Sequence, residues 1–359
     1  MRFLRWGLRA RTAPLMGLDV SPSSLKLVEL GRDASGRFVL ERLATEPLGG
    51  GWLVDGQVER FDEVVDALRR LVSSSGTKTR RVAMALPQGA VITRKVIVPA
   101  ELRDDEMLIQ IEGEVSSYVP FPMDEVSLDF CVIGPRGTSV DELEVLVAVC
   151  RKDRVQDLQA LAEAAGLVPG VLDIDSYASR MAVSQWAACL PQKGQDPVIA
   201  LFEIGGESTG LKVLSNDALL HDRDHAFGGG DLTRLIARQY NLGFDEAERR
   251  KLDGALPPSY LAEVHEPFVD NVAREVGRAL QYFFTSSSHH KVDMVLLAGG
   301  TATQAGLAAR VSDVTGFDCK VVNPFERMVL GGTASPRLLE QSAPAYLTAC
   351  GLAMRRFYP

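Results

Sequence analysis

The chain has 359 residues, 46% hydrophobic and 24% charged, with a net charge of −8. That mixture excludes whole-chain disorder and collagen-like structure, and the length suffices for two domains or one duplicated fold. The acidic balance argues against a general grip on nucleic acid, whose binders carry clustered lysine and arginine.

Residues 1–15 place Arg2, Arg5 and Arg9 on one helical face, with Phe3, Trp6 and Leu8 away from it. Such a stretch reads either as a basic leader or as a weak contact with an anionic membrane surface. Met16–Leu30 reads as strand, hydroxyl-rich turn and strand, and Arg37–Ala44 as a third strand. Val64, Val65, Leu68 and Leu71 predict an amphipathic helix over Asp62–Ser73, and Arg81–Leu86 a buried strand. A compact set follows: strand Val91–Val98, helix Asp104–Tyr118, strands Val126–Val132 and Leu143–Cys150, and helix Asp153–Ala165 closed by Gly166. Strand Val168–Ile174 leads into helix Ser176–Cys189, and Pro191–Pro197 is a candidate hinge.

The pattern then restarts with strand Val198–Ile204, turn Gly205–Gly210 and strand Leu211–Leu214. Helices are expected over Asp231–Tyr240, within Glu263–Ser286, over Gln304–Val314 and over Ala343–Arg355, with a buried strand at Met294–Leu297. The five cysteines, Cys131, Cys150, Cys189, Cys319 and Cys350, show no CxxC or zinc spacing and read as reduced, mostly buried thiols of a cytoplasmic protein. No apolar run approaches the ~20 residues of a membrane helix.

Asp19, Ser21, Ser23, Ser24 and Lys26 are echoed by Glu203, Gly205, Ser208, Thr209 and Lys212. In both places an acid ends a strand, a turn of small residues follows, and a lysine lies on the next strand. An echo near half-length predicts a duplicated fold with a ligand cleft. The backbone amides of 21–24 and 205–208, with Gly206 permitting close approach, suit phosphate oxygens, and Ser23, Ser24 and Lys26 add donors. Asp19 and Glu203 suit a hydrated Mg²⁺. Gly228, Gly229 and Gly230, and Gly299 and Gly300, each precede a helix, whose N-terminus favours anions. Glu248 and Lys251 share a helical face, as a ribose and base contact or as an ordinary surface ion pair. Residues 205–212 fail as a P-loop because Leu211 occupies the lysine position, and no Rossmann glycine pattern follows a strand. His221 and His225 fall in an expected turn, and no Ser/His/Asp elbow is present.

The run Tyr118-Val119-Pro120-Phe121-Pro122-Met123-Asp124-Glu125-Val126 resembles the signature of the PilM family of type IV pilus assembly proteins, within the actin-like ATPase superfamily. Residues 16–30 and 202–214 resemble its two phosphate motifs, 228–234 its glycine turn, Glu246–Lys251 its acid–lysine element, 296–307 its adenosine stretch, and 351–355 its terminus. The resemblance implies an α/β, duplicated ribonuclease-H-like, two-lobed actin-like ATPase fold with an FtsA-like inserted subdomain. The expected division is a tail at 1–15, a first lobe of 16–88 with 168–190, an insertion at 89–167, and a second lobe of 191–240 with 292–345. Residues 241–291 form the second lobe's outer part, and 346–359 return to the first lobe.

It further implies ATP and Mg²⁺ as ligands, Asp19 and Glu203 acting on the metal through water. The implied partner is the short cytoplasmic N-terminal segment of PilN, a single-pass inner-membrane protein, lying against Tyr118, Val119, Pro120, Phe121 and Pro122. Other pilus motor components are further candidate partners. Glu203 stands where the family usually carries aspartate, and Pro22 removes a backbone donor from the first turn. No residue presents itself as a general base, so the expected role is a nucleotide-binding adaptor. The alternatives are an active ATPase or sugar kinase on this fold, or an FtsA-like polymerising protein.

Overall fold

The computed structural model describes residues 13–358 apart from 55, 189–196, 216–217, 290, 332–338 and 340–341. Residues 1–12, Cys189 and the break at 191–196 therefore lie outside the described residues. The chain groups into two units: Met1–Gly31 with Arg42–Ala178 and Ala349–Pro359, and Arg32–Glu41 with Ser179–Thr348.

In the first unit, β1 (Met16–Ser21) and β2 (Ser24–Arg32) form an antiparallel hairpin followed by β3 (Phe38–Pro47). A short ribbon of β4 (Leu53–Val54) and β5 (Gln57–Val58) leads to α1 (Phe61–Ser75) and β6 (Arg81–Leu86). Helix α1 buries Val64, Val65, Leu68 and Leu71, the stripe that the spacing predicts, and stops at Gly76 in the left-handed region.

The inserted set is β7 (Val91–Pro99), α2 (Asp104–Val115), β8 (Val126–Pro135) and β9 (Glu142–Arg151), with strand order β7-β9-β8. Alternation along β9 sends Val145, Val147 and Val149 against Met107, Ile111 and Val115 of α2. Ala148 and Cys150 project the other way and join the first unit's main core. Helix α2 is shorter than its spacing predicts: the hydroxyls of Ser116 and Ser117 donate back to the carbonyls of Gly113 and Glu114, an alternative to continuing the helix.

α3 (Lys152–Ala164), β10 (Val168–Ile174) and α4 (Asp175–Ala187) complete this unit's run. The parallel pairs β1–β6 and β6–β10 give the order β10-β6-β1-β2-β3. The C-terminal helix, Leu347–Met354, brings Leu352 onto Leu15, Ala83 and Ala178, and Arg355 forms a buried ion pair with Asp173.

In the second unit β11 (Val198–Ile204), β12 (Thr209–Ser215) and β13 (Ala218–His225) form an antiparallel meander. The turn expected around His221 and His225 is thus a strand. Its Asp/Arg/His alternation places residues on the two faces of an edge strand, a pattern that composition alone reads as a loop. Helices α5 (Gly229–Tyr240), α6 (Phe244–Leu252) and α7 (Glu266–Ser286) follow, then β14 (Met294–Ala298), α8 (Leu307–Thr315), β15 (Cys319–Val321) and β16 (Val329–Leu330).

The sheet order is β13-β12-β11-β14-β15, with β14 parallel to β11. The core buries Phe202, Phe268 and Phe283, each contributing about 1.5–3 kcal/mol. The long helix expected within Glu263–Ser286 begins as a wider π turn at Leu261–His265, and Pro267 sits in the first turn of α7, where its missing N–H costs nothing. The helix expected from Gln304 begins only at Leu307, because Gly300–Thr303 form a 3-10 turn first.

Cys150 and Cys350 are buried, and Cys131 and Cys319 half-buried. Burial pushes the Cys150 thiol up to about 11 and Cys319 to about 12. Among the described residues no helix is long and apolar enough to cross a membrane.

Candidate functional site

Strands β11 and β14 are adjacent and parallel, so their carboxyl ends, Ile204 and Ala298, deliver two turns to the same edge of the second unit's sheet. Crevices beyond the carboxyl ends of parallel strands are where open α/β sheets take ligands. The turn after Ile204 carries Gly205 and Gly206, and the turn after Ala298 carries Gly299 and Gly300. Gly299 has φ +85° and lies against the Ile204 carbonyl, where a Cβ would collide with backbone.

The N-terminus of α5 docks onto the first of these turns. The amides of Gly229 and Gly230 donate to the carbonyls of Gly205 (2.8 Å) and Gly206 (2.7 Å), and the Thr301 hydroxyl donates to Gly205 (3.0 Å). Those two amides therefore serve the protein and not an anion. Gly228 donates to Asp231 Oδ2 at 3.1 Å. Thr209, the other donor read from the sequence, is buried and gives its hydroxyl to the Phe227 carbonyl at 2.7 Å.

Beside this junction, Thr233 of α5 donates to Glu248 of α6, and Lys251 Nζ lies 2.8 Å from Thr233 Oγ1 and 2.5 Å from Glu248 Oε2. Glu248 and Lys251 do share a face, and the buried Thr233, part of the 228–234 stretch but not singled out as a site residue, ties them to the glycine turn. Its hydroxyl also reaches the Gly229 carbonyl at 3.4 Å. Gly205, Gly206, Gly229, Gly230, Gly299, Glu248 and Lys251, spread over nearly a hundred positions, are thus brought to one edge of the unit.

The two acids expected to face Mg²⁺ are both ion-paired. In the first unit Asp19 and Lys26 lie directly opposite each other across β1 and β2, with Nζ 3.3 Å from Oδ2. Lys26 also donates to Ser21 Oγ at 3.1 Å, and Ser21 to the Ser24 carbonyl at 2.7 Å. Ser23 is exposed.

In the second unit Glu203 is opposite Gly210, and its carboxylate reaches Lys212, one pleat further along. Glu203 Oε1 accepts from Thr348 Oγ1 at 3.0 Å, so both of its oxygens are engaged. Asp19 fits a water-mediated cation through Oδ1, which accepts no hydrogen bond among the described residues. Glu203 does not fit one, since a buried ammonium already lies against it.

The first unit adds residues that the sequence reading missed. Gln88, after β6, donates its amide to Asp175 Oδ1 (3.0 Å), and Ser176 hydroxyl donates to Gln88 Oε1 (3.2 Å). These lie at the carboxyl ends of β6 and β10, and only the parallel pairing reveals their proximity.

In the inserted set, Tyr118, Val119 and Phe121 pack against its own core, whereas Pro120 and Pro122 are exposed. The Arg94 guanidinium lies 4.6 Å from the Tyr118 ring centre and that of Arg151 5.4 Å from Phe121. Burial raises the Tyr118 hydroxyl above its ordinary value, against the opposing effect of Arg94.

The family model for the type IV pilus assembly protein PilM matches residues 17–357. The chain belongs to the PilM family. A solved PilM-PilN type IV pilus biogenesis complex aligns with a TM-score of 0.79 and 30% identity, covering 96% of this chain and 99% of that one. The ethanolamine utilization protein EutJ from Carboxydothermus hydrogenoformans aligns at TM-score 0.55 and 17% identity, over 94% and 88% of the two chains. A diol dehydratase-reactivating factor in nucleotide-free form aligns at 0.54 and 10%, over 97% and 100%. The fold of this PilM-family chain is that of the actin-like ATPases, and its family role is in type IV pilus assembly.

Proposed function

We propose that this chain is a nucleotide-binding adaptor of the pilus machine that holds the cytoplasmic N-terminal segment of a PilN-type membrane protein. The likeness to the PilM-PilN complex along almost the whole chain carries the partner half of this reading. In this reading such a segment gives the protein its place at the inner membrane.

The stiff Tyr118–Pro122 loop suits a wall for that segment. Its two aromatic rings are clamped by Arg94 and Arg151, while Pro120 and Pro122 stay exposed at fixed φ. Titrating a synthetic N-terminal PilN segment into the full chain by calorimetry should give saturable binding. A flat titration with and without ATP would overturn the partner reading.

The nucleotide half is supported by the junction of the 205–206, 228–230 and 299–301 turns beside Glu248 and Lys251. In this reading ATP phosphates meet the second unit's turns after β11 and β14, beside the engaged Gly229 and Gly230 amides and not on them, and Glu248 and Lys251 take the ribose and base. ATP would bring its own polyphosphate charge, and the chain's residues bind and orient it. Each hairpin's acid is ion-paired with a lysine, which supports a switching ligand before a hydrolysed substrate. Fluorescent-ATP binding should weaken about tenfold in Lys251→Ala, a loss of about 1.4 kcal/mol. Equal affinity in that variant would remove Lys251 from the site.

A further inference from the structure

The face of the second-unit meander that carries Glu203 carries two further acids. Asp222 lies directly across from Lys212, and Asp224 directly across from Gly210, in the β12–β13 register. Alternation along the strands therefore puts Glu203, Lys212, Asp222 and Asp224 on the same side of the sheet.

Gly210 is what lets them close together. A Cβ there would lie 3.2 Å from Asp224 Oδ1 and 3.3 Å from Lys212 Nζ, so both groups occupy the space a side chain would fill. The lysine side chain is only 6% exposed and that of Glu203 15%. The buried Lys212 ammonium is thus paired with Glu203 on a face that also carries Asp222 and Asp224, and Glu203 is additionally held by Thr348.

We propose that Lys212 is the resident cation of this hairpin and that Glu203 takes no divalent ion. The extra methylene of Glu203 is what makes this work. A diagonal partner on an antiparallel pair lies well beyond the directly opposite one, and the longer acid spans the difference. A divalent ion on the same carboxylate would have to displace the ammonium or sit beside it, against like-charge repulsion in a poorly hydrated place. The hairpin's acid therefore organises the turn through lysine, and any polyphosphate it receives approaches without a metal on Glu203. The last clause rests on the nucleotide reading; the cation assignment does not.

The test uses the full chain without nucleotide first. Mn²⁺ uptake, read by the loss of the free-ion electron paramagnetic resonance signal, should be identical in wild type and Glu203→Gln. A bound equivalent that disappears in Glu203→Gln overturns the proposal. Lys212→Met should lower the unfolding temperature, and Lys212→Met/Glu203→Gln should recover most of that loss, because the charge and its counter-charge leave together.

With ATP added, the ratio of affinities in EDTA and in Mg²⁺ should agree within about threefold between wild type and the double variant. A collapse of that ratio assigns a metal to Glu203 and overturns the proposal. Absence of ATP binding in every arm removes the nucleotide reading, and the Mn²⁺ arm then decides the cation assignment alone.

Discussion

The two hairpins that echo each other in sequence, β1–β2 and β11–β12, solve the same problem with different geometry. In the first, acid and lysine are directly opposite and the short aspartate suffices. In the second they are diagonal, glycine stands opposite the acid, and the carboxylate is one methylene longer. Asp19 keeps an oxygen clear of protein donors among the described residues, whereas both oxygens of Glu203 are engaged. The longer acid therefore goes with a diagonal lysine and the shorter one with a lysine directly opposite.

That contrast can be broken most severely at Lys212. Lys212→Met leaves a buried carboxylate without its cation and should cost about 3–5 kcal/mol in urea unfolding. Lys26→Met, at a more open pair, should cost about 1 kcal/mol. Equal losses would erase the distinction between the hairpins.

Glu203→Asp tests reach. The shortened acid no longer spans the diagonal and should cost about 1–3 kcal/mol, measured by thermal unfolding. Gly210→Ala presses on Lys212 Nζ and Asp224 and should cost about 1–2 kcal/mol, with no comparable loss for Gly113→Ala in α2, where a Cβ meets nothing within 4 Å and the backbone is helical.

The smallest expected effect is on pH. Burial lowers His221 and His225 below the ordinary imidazole value, with Arg223 adding to both and Asp224 and Glu275 opposing at His225. The unfolded chain then binds more protons than the folded one below about pH 6.5, so stability falls as pH drops through that value. Urea midpoints at about pH 8 and pH 5.5 should differ in wild type and converge in His221→Asn/His225→Asn.

Most elements were legible because their periodicity is clean: the α1 stripe, the alternation of β9 and the apolar run of β11 each announce themselves. The strand at Ala218–His225 was not, because its alternating charges carry no apolar signal and its pairing partner supplies the reason for extension. The late start of α8 was hidden for a similar reason: the 3-10 turn at Gly300–Thr303 answers to a carbonyl at Gly205 through Thr301. Among site residues, Glu248 and Lys251 could be paired by spacing alone. Thr233, Gln88 and Asp175 could not, since their partners lie on other elements.

The sequence by itself determined the order of the motifs, the half-length echo and the family signature at 118–126, because each is local and carried by adjacent residues. Only the tertiary structure decided what those motifs face. Parallel pairing of β11 with β14 brings the 205–206 and 299–300 turns to one edge, and antiparallel pairing of β12 with β11 and β13 puts Lys212 on one face with Glu203, Asp222 and Asp224. Register is a property of two strands at once, and no single stretch of chain encodes it.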